Sequence, residues 1–246
     1  MGLSEEIADY WSRRSSGFSD AVIDECVNGD GRIRDMLVSE LGIGPGSRVL
    51  DAGSGPGFFE MVLEDTGAEL HAVDFSEAMV EKARENAPSA IVRRMDVQSL
   101  EYPDGFFDAV VSRNVLWSLT DPAKAYSEIV RVMKPGAKAL VIDGNYYLGL
   151  YDERYARQDE PSARDSGLDR PGSHAKFNRG DVDFREMENL ALDLPLSRVL
   201  RPVWDLEVLC SLPVSEVGFR ILSRRIDGFR RIGQFTITFT RCSDDE

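Results

Sequence analysis

The chain has 246 residues, of which 42% are hydrophobic, and 43 acidic against 29 Lys and Arg side chains give it a formal net charge of −14. That apolar content supports a packed core in one large or two small domains. The acidic balance argues against a nucleic-acid partner, which needs clustered Lys and Arg to neutralise phosphates, and points to a small-molecule or protein partner.

The opening residues, MGLSEEIADYWSRRSS, hold no apolar run that reads as a secretory leader. No segment approaches the ~20 apolar residues of a membrane span, so a cytoplasmic location without membrane association is expected. Residues 1–40 read as a helical cap carrying the aromatic-basic patch YWSRR, in which Arg13 and Arg14 fit a solvated helix face.

From 45 to 145 apolar runs alternate with amphipathic stretches. RVLDAG is a strand ending in turn residues, and FFEMVLEDTG is a helix closed by Gly67. ELHAVDFS gives a second strand, after which Ser76 caps the helix EAMVEKARENA that Pro88 stops. AIVRRMDV is a third strand, followed by a loop and a short helix near 98–102. FDAVVSRNVLW is a fourth strand; Asp121 then caps a helix with Pro122 at its first position, ended by KPG at 134–136. KALVIDG is a fifth. His71 sits within the second strand and reads as a core histidine.

Regular β-α alternation implies parallel strands joined by right-handed crossovers, hence a doubly wound sheet with helices on both faces. Ligands of such sheets bind beyond the carboxyl ends of the strands, where Asp51, Asp74, Asp96, Asn114 and Asp143 converge. Residues 145–200 form an insertion, and 152–181, nearly free of aliphatic side chains, read as a lid or mobile loop. Residues 200–246 complete the sheet with FRILSRRI and FTITFTRC paired antiparallel at its edge. Cys26, Cys210 and Cys242 are far apart with no C-x-x-C spacing, which disfavours both a zinc site and a disulfide scaffold.

The loop after the first strand carries the chemistry. A dinucleotide fingerprint G-x-G-x-x-G counted from Gly53 needs glycine at position 58, which is Phe. Glycine stands instead at 57, and no Gly-Lys-Ser/Thr of a P-loop follows. The pattern D-x-G-x-G-x-G, Asp51 to Gly57, resembles motif I of the class I S-adenosylmethionine-dependent methyltransferases.

That resemblance covers roughly 45–145 and implies a Rossmann-like fold: an α/β, mostly parallel, seven-stranded sheet with an antiparallel edge strand. It implies S-adenosylmethionine as cofactor, held by Asp51, Gly53, Ser54, Gly55 and Gly57, with Asp74 on the ribose hydroxyls. Asp96 and the Val97 amide would meet the adenine amino group. Phe75 and Met79 fit the adenine pocket or ordinary core equally. Asn114 falls between cofactor and acceptor, and Tyr10 and Trp11 would close over the cofactor, where an aromatic face suits a sulfonium.

Methyl transfer from a sulfonium needs alignment above all, and a base only where the nucleophile starts protonated. Asp143, Tyr146, Tyr147 and His174 are the base candidates, and Trp117, Tyr146, Tyr147, Tyr151 and Tyr155 could line an apolar acceptor pocket or be ordinary packing. The chain lacks the Asn-Pro-Pro-aromatic motif of nucleic-acid amino methyltransferases, which favours a small-molecule acceptor. Two further readings stay open: a non-catalytic cofactor-binding regulatory protein and, against the evidence of Phe58, an NAD-dependent oxidoreductase. The sequence holds no signal for metal or for oligomeric state.

Overall fold

The structure is a computed structural model that describes residues 2–29, 31–156, 177, 182–226 and 230–243. Two helices open the chain, α1 (Leu3–Asn28) and α2 (Arg32–Leu41). The alternating region follows as β1 (Arg48–Ala52), α3 (Phe58–Leu63), β2 (Glu69–Asp74), α4 (Glu77–Asn86), β3 (Ile91–Arg94), β4 (Phe107–Arg113), α5 (Pro122–Val132) and β5 (Met133–Gly144). The chain closes with α6 (Phe184–Ala191), α7 (Val203–Leu209), β6 (Val214–Ile226) and β7 (Arg230–Arg241).

The seven strands form one sheet in the order β3-β2-β1-β4-β5-β7-β6. The first five pair in parallel, and β7 lies antiparallel between β5 and the edge strand β6. The expected mixed sheet with its terminal antiparallel hairpin is therefore present. Each strand of the middle presents side chains to both faces, as the pleat dictates. Leu50 and Ala52 of β1, with Ala139 and Val141 of β5, pack against α5 residues Tyr126, Ile129 and Val130. Val49, Leu140 and Ile142 pack on the other side against Val22, Leu37 and Phe59. A third cluster, Ile7, Tyr10, Trp117, Met187 and Leu194, ties the N-terminal cap to the insertion.

The caps act as the sequence implies: Ser76 Oγ accepts from Met79 N at 3.3 Å, and Asp121 Oδ1 accepts from Lys124 N at 3.0 Å. His71 is buried at the sheet surface, with its ring nitrogens 3.2 Å from Tyr102 Oη and 2.8 Å from Glu69 Oε1.

Two local expectations are corrected. Residues 98–102 form a turn and not a helix, because Asp96 Oδ1 takes the Gln98 N–H at 2.8 Å, an Asx-type bond that competes with helix formation. KPG does not end α5. The helix stops at Val132 and KPG bulges out within β5, where the register to β4 jumps from Phe107↔Met133 to Ala109↔Lys138. A bulge tolerates the proline that lacks an N–H. Lys134 reaches Asp108 Oδ1 at 2.6 Å instead of the helix end.

Candidate functional site

Strand order reverses between β1 and β4, both of which follow one another in space but not in sequence, and a cavity opens beyond their carboxyl ends. Its floor is the turn after β1. Gly53 and Ser54 both donate their N–H groups to Val73 O at 2.9 Å, which folds the chain back over β2. Gly53 stands at φ +86°, and a Cβ there would lie 2.3 Å from Val115 Cγ2. Only glycine suits that position.

Asp74 at the end of β2 braces the turn: Oδ2 accepts from Gly55 N and Oδ1 from Ser76 N, both at 2.9 Å. Each carboxylate oxygen retains acceptor capacity, which suits a vicinal diol. Burial pushes this carboxyl above its usual range, opposed by the Ser76 and Gly55 N–H groups. Asp96 takes the Gln98 side-chain amide at 3.0 Å, and Gln98 Oε1 accepts from Asp121 N at 2.6 Å, so the third strand's acid is tied to the start of α5.

Asp51 is 3% exposed, yet it lines the cavity, and its Oδ1 meets no hydrogen-bond donor among the described residues. Glu60 of α3 is packed against it, also buried, with Oε2 equally without a donor. Burial, then the neighbouring Glu60, pushes the Asp51 carboxyl well up, and burial raises Glu60 to about 7. A buried carboxyl facing a cavity without a donor calls for a cationic or N–H-bearing ligand. S-adenosylmethionine, with its ammonium and sulfonium, satisfies that requirement, and the open glycine cradle admits close approach of its amino-acid end. The residues present fit this cofactor.

Asn114 adopts φ +58°, one residue beyond β4, and donates its N–H to Ile142 O at 2.8 Å. Its carbonyl accepts from Trp117 Nε1 at 2.8 Å, and its side-chain Oδ1 takes the hydroxyl of Tyr146. Gln234 Nε2 reaches the same hydroxyl at 3.2 Å from β7. Aromatic rings complete the wall: Trp117 lies 5.5 Å from Tyr146 and 5.3 Å from Tyr147, while Trp11 of the cap lies 6.4 Å from Trp117.

Of the sequence-derived residues, Tyr10, Trp11, Asp51, Gly53, Ser54, Gly55, Asp74, Phe75, Met79, Asp96, Val97, Asn114 and Tyr146 all line this one cavity. Gly57 does not. It stands behind the wall at φ +93°, and a Cβ there would meet Ala83 Cα of α4 at 3.3 Å, so it permits the α3–α4 approach.

Asp143 is corrected as a base. It is fully buried, does not line the cavity, and its carboxylate is held by Arg201 Nη1 at 2.6 Å and by the N–H groups of Trp117 and Gly144. Arg201, itself fully buried, also binds Asp205, so the network clamps the insertion's far end to β5. Tyr151 and Tyr155 likewise fall outside the cavity wall; the Tyr151 hydroxyl donates to Leu192 O at 2.5 Å. His174 and most of the 152–181 stretch lie outside the described residues.

Several cavity residues escaped the sequence reading. Ile7, Arg14, Phe18, Val22 and Glu25 line the cavity from α1, on the same helix face as Trp11. Their spacing of three and four places them on one helix face, so the signal was present. Phe184 and Met187 of α6 line the cavity beside them, with the Phe184 ring 4.8 Å from the Arg14 guanidinium carbon and Met187 packed with Ile7 and Tyr10. Glu60 carried no signal, since an acid in an amphipathic helix reads as solvated.

Among the described residues, no cluster of His, Cys, Asp or Glu could hold a metal ion, and no helix is long and apolar enough to cross a membrane. Cys26, Cys210 and Cys242 are free thiols.

The chain resembles known proteins in sequence and in fold. Residues 50–141 match the family described as a methyltransferase domain. The chain is 28% identical over 165 residues to a demethylmenaquinone methyltransferase of Renibacterium salmoninarum, covering 65% of this chain and 69% of that one. It is 32% identical over 113 residues to the uncharacterized methyltransferase YdaC of Bacillus subtilis, covering 44% of this chain and 62% of the other. The fold superposes on an S-adenosylmethionine-dependent methyltransferase of Mesorhizobium loti with a TM-score of 0.60 at 17% identity, over 87% of this chain and 99% of that one. With the glycine turn and its acids in one cavity whose residues fit S-adenosylmethionine, the chain is similar over residues 50–141 to the methyltransferase-domain family and shares the fold of S-adenosylmethionine-dependent methyltransferases.

Proposed function

We propose that this protein transfers the cofactor's methyl group to a small-molecule acceptor. The observation that carries this reading is the division of one cavity into two halves. Asp51, Asp74 and Asp96 stand with the glycine turn at the ends of β1, β2 and β3, and Trp117, Tyr146 and Tyr147, beyond β4 and β5, form an apolar wall with Met187. The acidic half suits a cationic nucleoside, and the aromatic half suits a compact, largely apolar acceptor.

On this reading Asp74 takes the ribose hydroxyls, Asp96, Phe75, Met79 and Val97 surround the adenine, and Gly53, Ser54, Gly55 and Asp51 receive the amino-acid end. Tyr10 and Trp11 cover the cofactor from α1, and Asn114 separates it from the acceptor. S-adenosylmethionine supplies the electrophilic methyl. The chain's own residues exclude water and align the acceptor, a contribution that reaches roughly 7–11 kcal/mol where alignment is complete.

Tyr146 serves the acceptor side. Its hydroxyl donates to Asn114 Oδ1 and accepts from Gln234 Nε2, which fixes the ring in the cavity wall where it can contact the acceptor. Such a contact orients the nucleophile toward the cofactor.

The test is incubation of the protein with methyl-labelled S-adenosylmethionine and a panel of phenols, quinols, amines and carboxylic acids, read by mass spectrometry. A labelled product with stoichiometric S-adenosylhomocysteine supports the reading. Tight cofactor binding without turnover of any acceptor class would favour the regulatory alternative.

A further inference from the structure

Among the described residues two cations line the cavity, Arg14 and Arg113. Arg113 is already neutralised, with its Nη2 at 2.8 Å from both carboxylate oxygens of Glu25. Arg14 differs. Its neighbour Arg13 turns outward to Asp9 and Glu186, while Arg14 turns inward and pairs with no carboxylate among the described residues.

What holds Arg14 is aromatic. Its guanidinium carbon lies over the rings of Phe184 at 4.8 Å, Trp11 at 5.2 Å, Tyr10 at 5.8 Å and Phe18 at 5.9 Å. Aromatic rings hold a guanidinium without neutralising it, so its N–H donors, which meet no carboxylate among the described residues, can serve an oxyanion. A rigid cage also lowers the entropy lost when those donors engage. The nearest ring belongs to Phe184 of α6, which lines the same cavity.

We infer that Arg14 is the specificity residue for an anionic acceptor: its guanidinium edge takes a carboxylate or similar oxyanion on the acceptor, which rests its apolar body on the aromatic wall. This rests on the preceding reading of the cavity as a cofactor and acceptor site. A cation unneutralised in a protein of net charge −14 and facing a cavity lined by four carboxyl-bearing residues has a plain use in selecting an acid over its neutral analogue.

The experiment takes the full chain saturated with S-adenosylhomocysteine and titrates it calorimetrically with benzoate, phenylacetate and decanoate, each beside its amide. At least one acid is expected to bind about tenfold or more tightly than its amide. Arg14→Gln is expected to abolish that preference while S-adenosylhomocysteine affinity stays within about twofold, which also reports that the variant is folded. Arg14→Lys, which keeps the charge and loses the fork, should retain part of it.

The inference is overturned if no acid outbinds its amide, or if the preference survives in Arg14→Gln. It is overturned equally if Arg14→Gln weakens S-adenosylhomocysteine and leaves 5′-methylthioadenosine, which lacks the amino-acid end, unaffected; Arg14 then serves the cofactor's own carboxylate. A native protein that binds neither nucleoside would instead bring down the cofactor reading of Asp51 and Asp74, and this inference with it.

Discussion

Asp51 and Glu60 bury their carboxyls against each other beneath the glycine turn, with one oxygen of each reached by no donor among the described residues. Two adjacent buried carboxylates cannot both ionise cheaply, so the pair retains a proton that free carboxyls would have lost.

This pair sets a pH dependence of stability. Glu60 is raised by burial from 4.5 to about 7, so across that window the folded chain binds more protons than the unfolded one. Stability of the cofactor-free protein therefore falls as pH rises from 4.5 to 7, by roughly 3 kcal/mol if the whole shift is expressed. Glu60→Gln should flatten that slope and be the more stable form at pH 8, with little difference at pH 4.5. Urea denaturation across pH checks it, and an unchanged slope in the variant counts against the pairing.

Cofactor binding bears on the same pair. A cationic ligand beside Asp51 favours its ionised form, so S-adenosylmethionine binding near pH 7 should release protons. Calorimetry in buffers of different ionisation enthalpy measures that release, and Glu60→Gln should reduce it. Equal binding enthalpies in all buffers would rule the linkage out.

Asp74→Asn keeps the size of the side chain and removes the charge that two backbone N–H groups brace. Loss of charge-assisted bonds to a ribose diol costs about 1.5–3 kcal/mol, tenfold or more in affinity for S-adenosylhomocysteine. Affinity unchanged within twofold would remove Asp74 from the ribose site.

Gly53→Ala introduces a Cβ 2.3 Å from the Val115 side chain at a left-handed backbone position. It should destabilise the fold by about 1–3 kcal/mol and abolish cofactor binding. Gly44→Ala, where a Cβ meets nothing within 4 Å, is the control and should be near neutral in thermal melting.

Arg201→Met leaves Asp143 and Asp205 buried without their common partner. Uncompensated buried charge costs about 3–5 kcal/mol, which urea titration will show as a lowered midpoint. A midpoint equal to that of the native chain would mean the network is held by something other than its ion pairs.

The sequence by itself determined what local spacing can encode. Alternating apolar runs dictate parallel strands and crossover helices; Asp51, Gly53, Gly55, Asp74 and Asp96 fall at strand ends because a strand stops where turn residues and polar side chains begin. Those positions converge without any knowledge of long-range packing, since every parallel strand points its carboxyl end the same way.

Tertiary structure decided the rest. The Ile7-to-Glu25 stripe of α1 was legible as a helix face, but only packing shows that it roofs the cavity and turns Arg14 inward while Arg13 turns out. Asp143 looked like a candidate base at a strand end until Arg201, 58 residues away, is seen to claim it. Glu60 looked solvated until α3 is laid on Asp51. In each case the environment of a charged group comes from residues remote in sequence, and a linear pattern carries the position of a charge but not the partner that fixes its role.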